Sequence, residues 1–498
     1  MMHGIMANAP LYAVLASALA AVAIAFTGEK HRNLRETWTI LASLLKFGFI
    51  AAMVPGVLAG VRYEVSLVEL APGVSLALRA DPTGVLFALS ASFLWILTSF
   101  YSIGYMRGGK EHKQTRFFAM LAVCLSATVG LALAANLLTF VLFYEILSIA
   151  TYPLVIHKES EKAYRIGRQY LVYAITAGMV LVAGTALVYQ AAGTLDFQGG
   201  GFLPPEAGRG VLVTIFVLFF VGFGVKGGVM PLHSWLPAAM IAPTPVSALL
   251  HAVAVVKAGV FGFVRLVGFV FGPGLMGKMG LSTVLAGLAA ITIVLASFIA
   301  MTKDDLKARL AYSTVGHLSY VVLGVALLTP TAMLGGAFHI VTHAAMKITL
   351  FFCAGALYVH MHYTKVSELD GVGRRMPITM GAFAVGAVGL AGFPGTGGFL
   401  SKLMIVQGAA EGGHTLFMVI LLASGLLNAG YLFPVFIRAF FRSSPEHTSY
   451  DEASWFMVGP IVVTAALALL LGTMPDAIFH FFGVASEAVS AVVAGGAP

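Results

Sequence analysis

The sequence predicts an all-α polytopic membrane protein with about fourteen transmembrane helices. Three observations carry that reading. Of 498 residues, 59% are hydrophobic and only 10% are charged, where a soluble domain carries about 25% charge. Several stretches run for about 18 or more residues without a charge, enough to cross a bilayer. Basic residues collect in alternate loops, as the positive-inside rule requires. Mean hydropathy is +0.93. An isolated soluble enzyme, a disordered chain and a secreted disulfide scaffold are excluded. Cys124 and Cys353 lie within apolar runs and read as packing residues. The net charge of +8 would suggest nucleic acid in a soluble protein. Here it reads as a topology signal, with the bilayer as partner and no nucleic acid. No basic region precedes the first apolar run, so no cleavable signal peptide is expected.

The elements follow as apolar runs separated by charged loops. Span one (10–27) is followed by Lys30, Arg32 and Arg35, and span two (38–61) by Arg62 and Arg79. Span three (84–105) precedes Arg107, Lys110, Lys113 and Arg116; spans four (117–135) and five (137–156) precede Lys158, Lys162, Arg165 and Arg168. Span six (169–190) precedes Arg209, and spans seven (211–230) and eight (245–272) precede Lys278. Span nine (281–302) leads to Lys303, Lys307 and Arg309; spans ten (310–329) and eleven (332–361) lead to Lys365, Arg374 and Arg375. Spans twelve (378–408) and thirteen (414–440) are followed by Arg442, with Arg438 at the membrane edge, before span fourteen (456–482). Loops after even-numbered spans hold only Arg62, Arg79, Arg209 and Lys278. The loops after odd-numbered spans are therefore expected in the cytoplasm and both termini outside, in a bacterial or archaeal cytoplasmic (inner) membrane. The expected units are 1–110 (spans one to three), 111–275 (spans four to eight), 276–442 (spans nine to thirteen) and 443–498 (span fourteen).

Once the loop residues are set aside, six basic residues remain within the spans, Lys46, Lys226, Lys257, Arg265, Lys347 and Lys402, and of the acidic residues only Glu145 sits in the middle of one. Each costs about 2.5–3.5 kcal/mol at a helix centre on insertion scales, so such residues usually face a bundle interior and mark an ion path. Lys46 and Arg265 read as snorkelling or statically paired. Two lysines lie beside helix breakers. Lys226 adjoins Gly227, Gly228 and Pro231 in span seven, and Lys402 follows Pro394 and Gly395 in span twelve. Freed backbone groups at membrane depth are tolerated only where protein or water satisfies them. The two breaks are five spans apart. The odd offset inverts the second unit, a pattern of inverted-topology repeats with broken helices.

His339, His343 and Lys347 recur at i, i+4 and i+8 and share one face of span eleven. A metal or bis-histidine haem site fits the 339/343 spacing alone. Against it, a lysine continues the face and no nearby carboxylate offsets a metal's charge. A proton relay is preferred, since histidine titrates near neutral pH. His251 precedes Lys257 in span eight, and His317 in span ten reads equally as relay or core histidine. No catalytic residue, cofactor site or metal site is expected.

The segment Lys226-Gly-Gly-Val-Met-Pro-Leu-His-Ser-Trp-Leu-Pro237, continuing through Ala242-Pro-Thr-Pro-Val-Ser-Ala-Leu-Leu-His251, resembles the antiporter-like subunits of respiratory complex I. That family also includes subunits of Mrp-type cation/proton antiporters and of membrane-bound hydrogenases. Further matches are Phe143-Tyr-Glu145, Lys307-Ala-Arg-Leu-Ala-Tyr-Ser-Thr314 and Phe338-His-Ile-Val-Thr-His-Ala-Ala-Met-Lys347. The resemblance implies inverted five-helix repeats at spans four to eight and nine to thirteen. It implies proton-translocating roles for Glu145, Lys226, Lys257, Lys347 and Lys402. A lysine at Lys402 is similar to the D-type Mrp and hydrogenase-type subunits, whereas Ala242–His251 is more similar to the larger Mrp A-type subunit.

The expected function is proton translocation as an Mrp D-like or hydrogenase-type subunit of a multisubunit complex. Its partners are other membrane subunits, homologous antiporter-like ones among them. The carried ion is H⁺, with Na⁺ the second candidate. The competing readings are a proton-pumping subunit of NADH:quinone oxidoreductase and a stand-alone solute transporter. The chain has no clustered cysteines for iron–sulfur ligation. Any oxidoreductase activity would belong to the whole complex.

Overall fold

The computed structural model describes residues 6–495 apart from Pro72, Glu446 and Thr448. The chain ends, expected above to lie outside the membrane, are not among these residues. Among the described residues, twelve helices are long and apolar enough to cross a membrane. They correspond to spans one to nine, eleven, thirteen and fourteen. Span ten, Leu306–Ala326, carries Lys307 and Arg309 in its first turn, and span twelve is split into Pro377–Ala391 and Gly397–Glu411. The expected polytopic helical protein is observed.

Three departures from the expected spans are observed. Spans two and three are joined by an antiparallel hairpin, Tyr63–Ala71 with Val74–Ala80, rather than by a polar loop. Arg79 donates from Nε and Nη2 to the carboxylate of its cross-strand partner Glu64, at 2.9 and 3.0 Å. Span fourteen ends at Thr473 instead of running to 482, and a separate helix covers Phe481–Gly495. Pro475 explains the stop: it disfavours helical geometry at Met474, whose φ and ψ are −140° and 67°. Span eight is not continuous. It comprises Thr244–Ala252, an interruption at Val253–Ala254, Val255–Arg265 and a π-helical end at Leu266–Phe271. Neither glycine nor proline marks that interruption.

Packing sorts the helices. Thr244–Phe271 and Pro330–Met361, alone among the candidate spans, have their most apolar 18-residue stretch wholly buried within the protein. Spans eight and eleven thus form the centre, and the remaining spans shield them from lipid. Glycine permits close approach where span eight meets the break of span seven. A Cβ on Gly259 would lie 2.1 Å from the Gly227 nitrogen. Arg265 forms the static ion pair expected of it, with Nη1 and Nη2 at 2.6 and 3.0 Å from the Asp81 carboxylate. Lys46 does not snorkel. It is fully buried, and its Nζ donates to the Leu125 carbonyl of span four at 2.7 Å.

Candidate functional site

The two helix breaks present their lysines in different ways. In span seven the helix Arg209–Gly227 ends at Gly228, in the left-handed region at φ 67°. Its orphaned carbonyls are capped locally. Val229 N–H donates to Gly224 O at 3.0 Å, and Trp235 Nε1–H donates to Val225 O at 2.7 Å. Lys226 lies in the last turn. Its Nζ donates to the Tyr144 carbonyl at 2.6 Å and sits 3.3 Å from the centre of the Tyr144 ring. The carbonyl supplies a hydrogen bond and the ring a cation–π attraction.

Glu145 follows Tyr144 but turns elsewhere. It lies against span six, where a Cβ on Gly178 would stand 2.2 Å from the Glu145 carboxyl carbon. Its Oε1 is buried without a hydrogen-bond partner. On its own helix, Leu142 and Ile149 are 40% and 65% exposed. Glu145 therefore sits at the rim of the bundle, beside surface that faces lipid or another protein. Among the described residues it forms no ion pair within 4.0 Å with Lys226, which instead holds the Tyr144 carbonyl.

In span twelve the first half-helix ends at Ala391, and Gly392 follows at φ 96°. The second half begins at Gly397, capped by Thr396, whose hydroxyl accepts from Phe399 N–H. Gly395, at φ 84°, makes the turn between them. Lys402 points back at the first half. Its Nζ donates to the Leu390 carbonyl and, at 3.4 Å, to that of Ala391. These are the free carbonyls at the negative end of a half-helix, which favours a cation.

Between the breaks lies a row of buried polar groups. Lys257 Nζ is 3.0 Å from His343 Nδ1. The His343 ring stacks on His317, with centroids 5.4 Å apart. His317 Nδ1 is 3.3 Å from His339 Nε2, and His339 Nδ1 is 2.8 Å from the Ser401 hydroxyl, next to Lys402. A second branch starts from Lys347, which donates to Ser313 Oγ at 2.7 Å. The Tyr431 hydroxyl donates to Ser313 Oγ at 2.9 Å or to Asn428 Oδ1 at 2.7 Å. Asn428 Nδ2 donates to the Tyr320 hydroxyl at 3.2 Å, and Tyr320 is in close contact with Ser424. Lys402 Nζ lies 4.8 Å from the centre of the Tyr320 ring, so both branches end beside the same lysine.

Lys257, His343, His339, Lys347 and Lys402 thus converge, while Glu145 stays at the rim and two further links are missing. Lys226 and Lys257 are not joined by a hydrogen bond among the described residues; Gly259 lies against the backbone between them. His251 is fully buried, with neither ring nitrogen hydrogen-bonded, and its ring packs on Phe351 at 5.0 Å. The order also differs from a single file through His339, His343 and Lys347. His317 bridges the other two histidines, and Lys347 stands on its own branch.

Sequence reasoning missed Ser313, Tyr320, Ser401, Ser424, Asn428 and Tyr431. The signal was present. Ser313, His317 and Tyr320 recur at helical spacing on span ten, and Ser424, Asn428 and Tyr431 do so on span thirteen. Each trio is a polar stripe on an otherwise apolar helix.

Comparisons with known proteins agree with this architecture. Residues 134–427 match the family model described as NADH:quinone oxidoreductase/Mrp antiporter, transmembrane. NADH-quinone oxidoreductase subunit N of Desulforudis audaxviator is 31% identical over 77% of this chain and 76% of its own length. The D subunit of the Na(+)/H(+) antiporter of Bacillus subtilis is 26% identical over 98% of this chain and 96% of its own. A chain in the structure of the Mrp complex from Dietzia sp. DQ12-45-1b shares the fold, with a TM-score of 0.85 and 19% identity over 98% of this chain and 99% of that one. The matched segment contains both breaks, all four axis lysines and every histidine of the row: this chain belongs to the NADH:quinone oxidoreductase/Mrp antiporter family of membrane subunits.

Proposed function

We propose that the chain conducts protons laterally along this buried row, as one subunit of a multisubunit membrane complex. The observation that carries the reading is the run from Lys257 through His343, His317 and His339 to Ser401 and Lys402. It lies among the two most buried spans and the broken twelfth. Each imidazole takes a proton on one nitrogen and releases one from the other, so three in series form a relay. Lys226 and Glu145 form the input end, and Lys402 the far end. Glu145 stands at the rim, where a neighbouring subunit reaches its carboxylate and alters the field at Lys226. Protons cross from Lys226 to Lys257 through water, which bridges polar groups beyond direct reach. His251 joins as a side entrance to Lys257.

The partners are other membrane subunits, including homologous antiporter-like ones, since relatives are named as subunits of such complexes. The chain sits in the cytoplasmic membrane of a bacterium or archaeon, with its basic loops inside and both termini outside. Residues 111–275 and 276–442 form the inverted units, flanked by 1–110 and 443–498. H⁺ is the conducted ion because a lysine-rich path repels Na⁺. An Mrp-type antiporter is the preferred host and a redox-driven pump the alternative. Co-purified iron–sulfur subunits would favour the latter.

The test is proton flux in proteoliposomes holding the intact complex. Lys226→Ala and Glu145→Ala are expected to abolish flux with the complex still assembled. Near-normal flux in both variants overturns the proposal.

A further inference from the structure

A second cluster of titratable groups lies outside the buried row, on the face carrying the basic loops. Glu111 and His112 stand in the turn between spans three and four, and His157 just past the end of span five. One ligand atom from each can be chosen so that all three lie within 4.8 Å of one another. His157 Nε2 is 3.9 Å from Glu111 Oε2, and the His112 and His157 ring centroids are 5.0 Å apart. His157 is fully buried, yet neither of its ring nitrogens meets a well-formed hydrogen-bond partner. A buried imidazole whose nearest side-chain partner is a carboxylate oxygen 3.9 Å away is under-satisfied unless something closer occupies it. The neighbouring cations do not fill that role. Lys113 and Arg116 are turned onto Glu159, Lys113 at 2.7 Å from both carboxylate oxygens.

We infer that Glu111, His112 and His157 form a surface binding site for a divalent transition-metal ion, Zn²⁺ first. Two imidazoles and a carboxylate are the three-protein-ligand set that leaves a fourth, open position for water. Tetrahedral ligation at about 2.0–2.1 Å places ligand atoms about 3.3 Å apart. The observed spacing closes to that with small rotations of Glu111 and of the exposed His112, while His157 stays fixed. Hard cations such as Mg²⁺ and Ca²⁺ prefer all-oxygen sites and fit poorly. The spacing of residues along the chain suggests a metal only at His339 and His343, because these three ligands come from two separate loops. A bound ion would fasten the end of span five, the helix that carries Glu145, to the loop leading into span four.

The test uses the full chain in its purified complex, stripped with chelator and titrated with Zn²⁺ against a chromogenic competitor. A parallel Co²⁺ titration reads visible d–d absorption. One ion per chain with tetrahedral Co²⁺ bands is expected. His112→Ala, an exposed change that leaves the fold intact, should weaken binding by about tenfold or more, since even outer-shell losses cost about 10–100-fold. Glu111→Gln should weaken it as well. Stoichiometric binding that is unchanged in both variants, or no binding by the wild type at micromolar Zn²⁺, overturns the site.

Discussion

The breaks in spans seven and twelve use the same backbone device for opposite surroundings. At the seventh, Lys226 is tethered to one carbonyl and one ring, and Tyr144 in turn packs on Phe223, 6.1 Å between centroids. Phe223 also meets Phe140, Phe219 and Phe263. At the twelfth, Lys402 stands among Ser401, Tyr320, Asn428 and the Leu390 carbonyl, which Asn428 also approaches at 3.5 Å. The first break sets its lysine against an aromatic cluster; the second sets one on half-helix carbonyls, beside hydroxyl, amide and imidazole groups. A charge with few polar neighbours responds strongly to a nearby charge, because little around it screens the field. On the function proposed above, the contrast would give control to the seventh span, conduction to the twelfth, and the barrier to the gap between Lys226 and Lys257.

The largest effect tests the seventh span. Lys226→Ala removes the group on which control rests, and flux should fall by about 10²-fold or more, the usual scale for losing a proton-transfer group. A dye-monitored flux assay on the assembled complex checks it. If the variant retains most of its flux while Lys402→Ala does not, the assignment of control is reversed.

The surroundings of the twelfth span predict redundancy. His317→Phe cuts the histidine branch and Tyr431→Phe cuts the hydroxyl branch, and each alone should cost less than about tenfold in flux. Together they should cost about 10²-fold, beyond the sum of the single losses by a coupling within the 0.5–3 kcal/mol range of interacting sites. A double variant no worse than the more impaired single variant would mean the branches are one path.

Gly178→Ala probes the rim. The new methyl would stand 2.2 Å from the Glu145 carboxyl carbon, so the carboxylate or span six must shift. An overpacking cost of about 1–3 kcal/mol is expected, together with a severalfold drop in flux. Unchanged flux in a variant whose melting temperature has fallen would place the carboxylate outside the control element.

How much of this was legible follows from what a one-dimensional pattern records. The spans were readable because a bilayer demands long apolar runs, and the breaks at Gly227–Gly228 and Pro394–Gly395 because glycine and proline announce themselves. The interruption at Val253–Ala254 is not readable, since nothing in Ala-Val-Ala-Val forbids a helix. The hairpin at 63–80 was lost between two membrane helices because its short strands resemble a charged loop. The axis lysines stood out by their cost. Ser313, Tyr320, Asn428 and Tyr431 did not, because uncharged polar residues are cheap enough in a span to pass as packing. His317 stood equally between relay and core histidine until its neighbours were placed.

The smallest effect lies outside the spans, in the loop after span eleven. There Asp370 accepts from Arg438 Nε at 2.7 Å and lies 3.5 Å from Arg442 Nη1. The hydrogen bond from Arg438 is the main cause holding its carboxyl below the usual range, with the charges of Arg438 and Arg442 adding to it. A carboxyl depressed in the folded state stabilises the fold at pH above its unfolded value, about 3.9. That contribution is lost as pH falls through the lower folded value. The group is largely solvated, so salt screens the pair and its worth stays within the roughly 0–1 kcal/mol of surface ion pairs. Asp370→Asn should therefore lower thermal stability slightly at pH 6 and converge on the wild type as the buffer approaches pH 3. A difference that grows on acidification would show that Asp370 acts through something other than its charge.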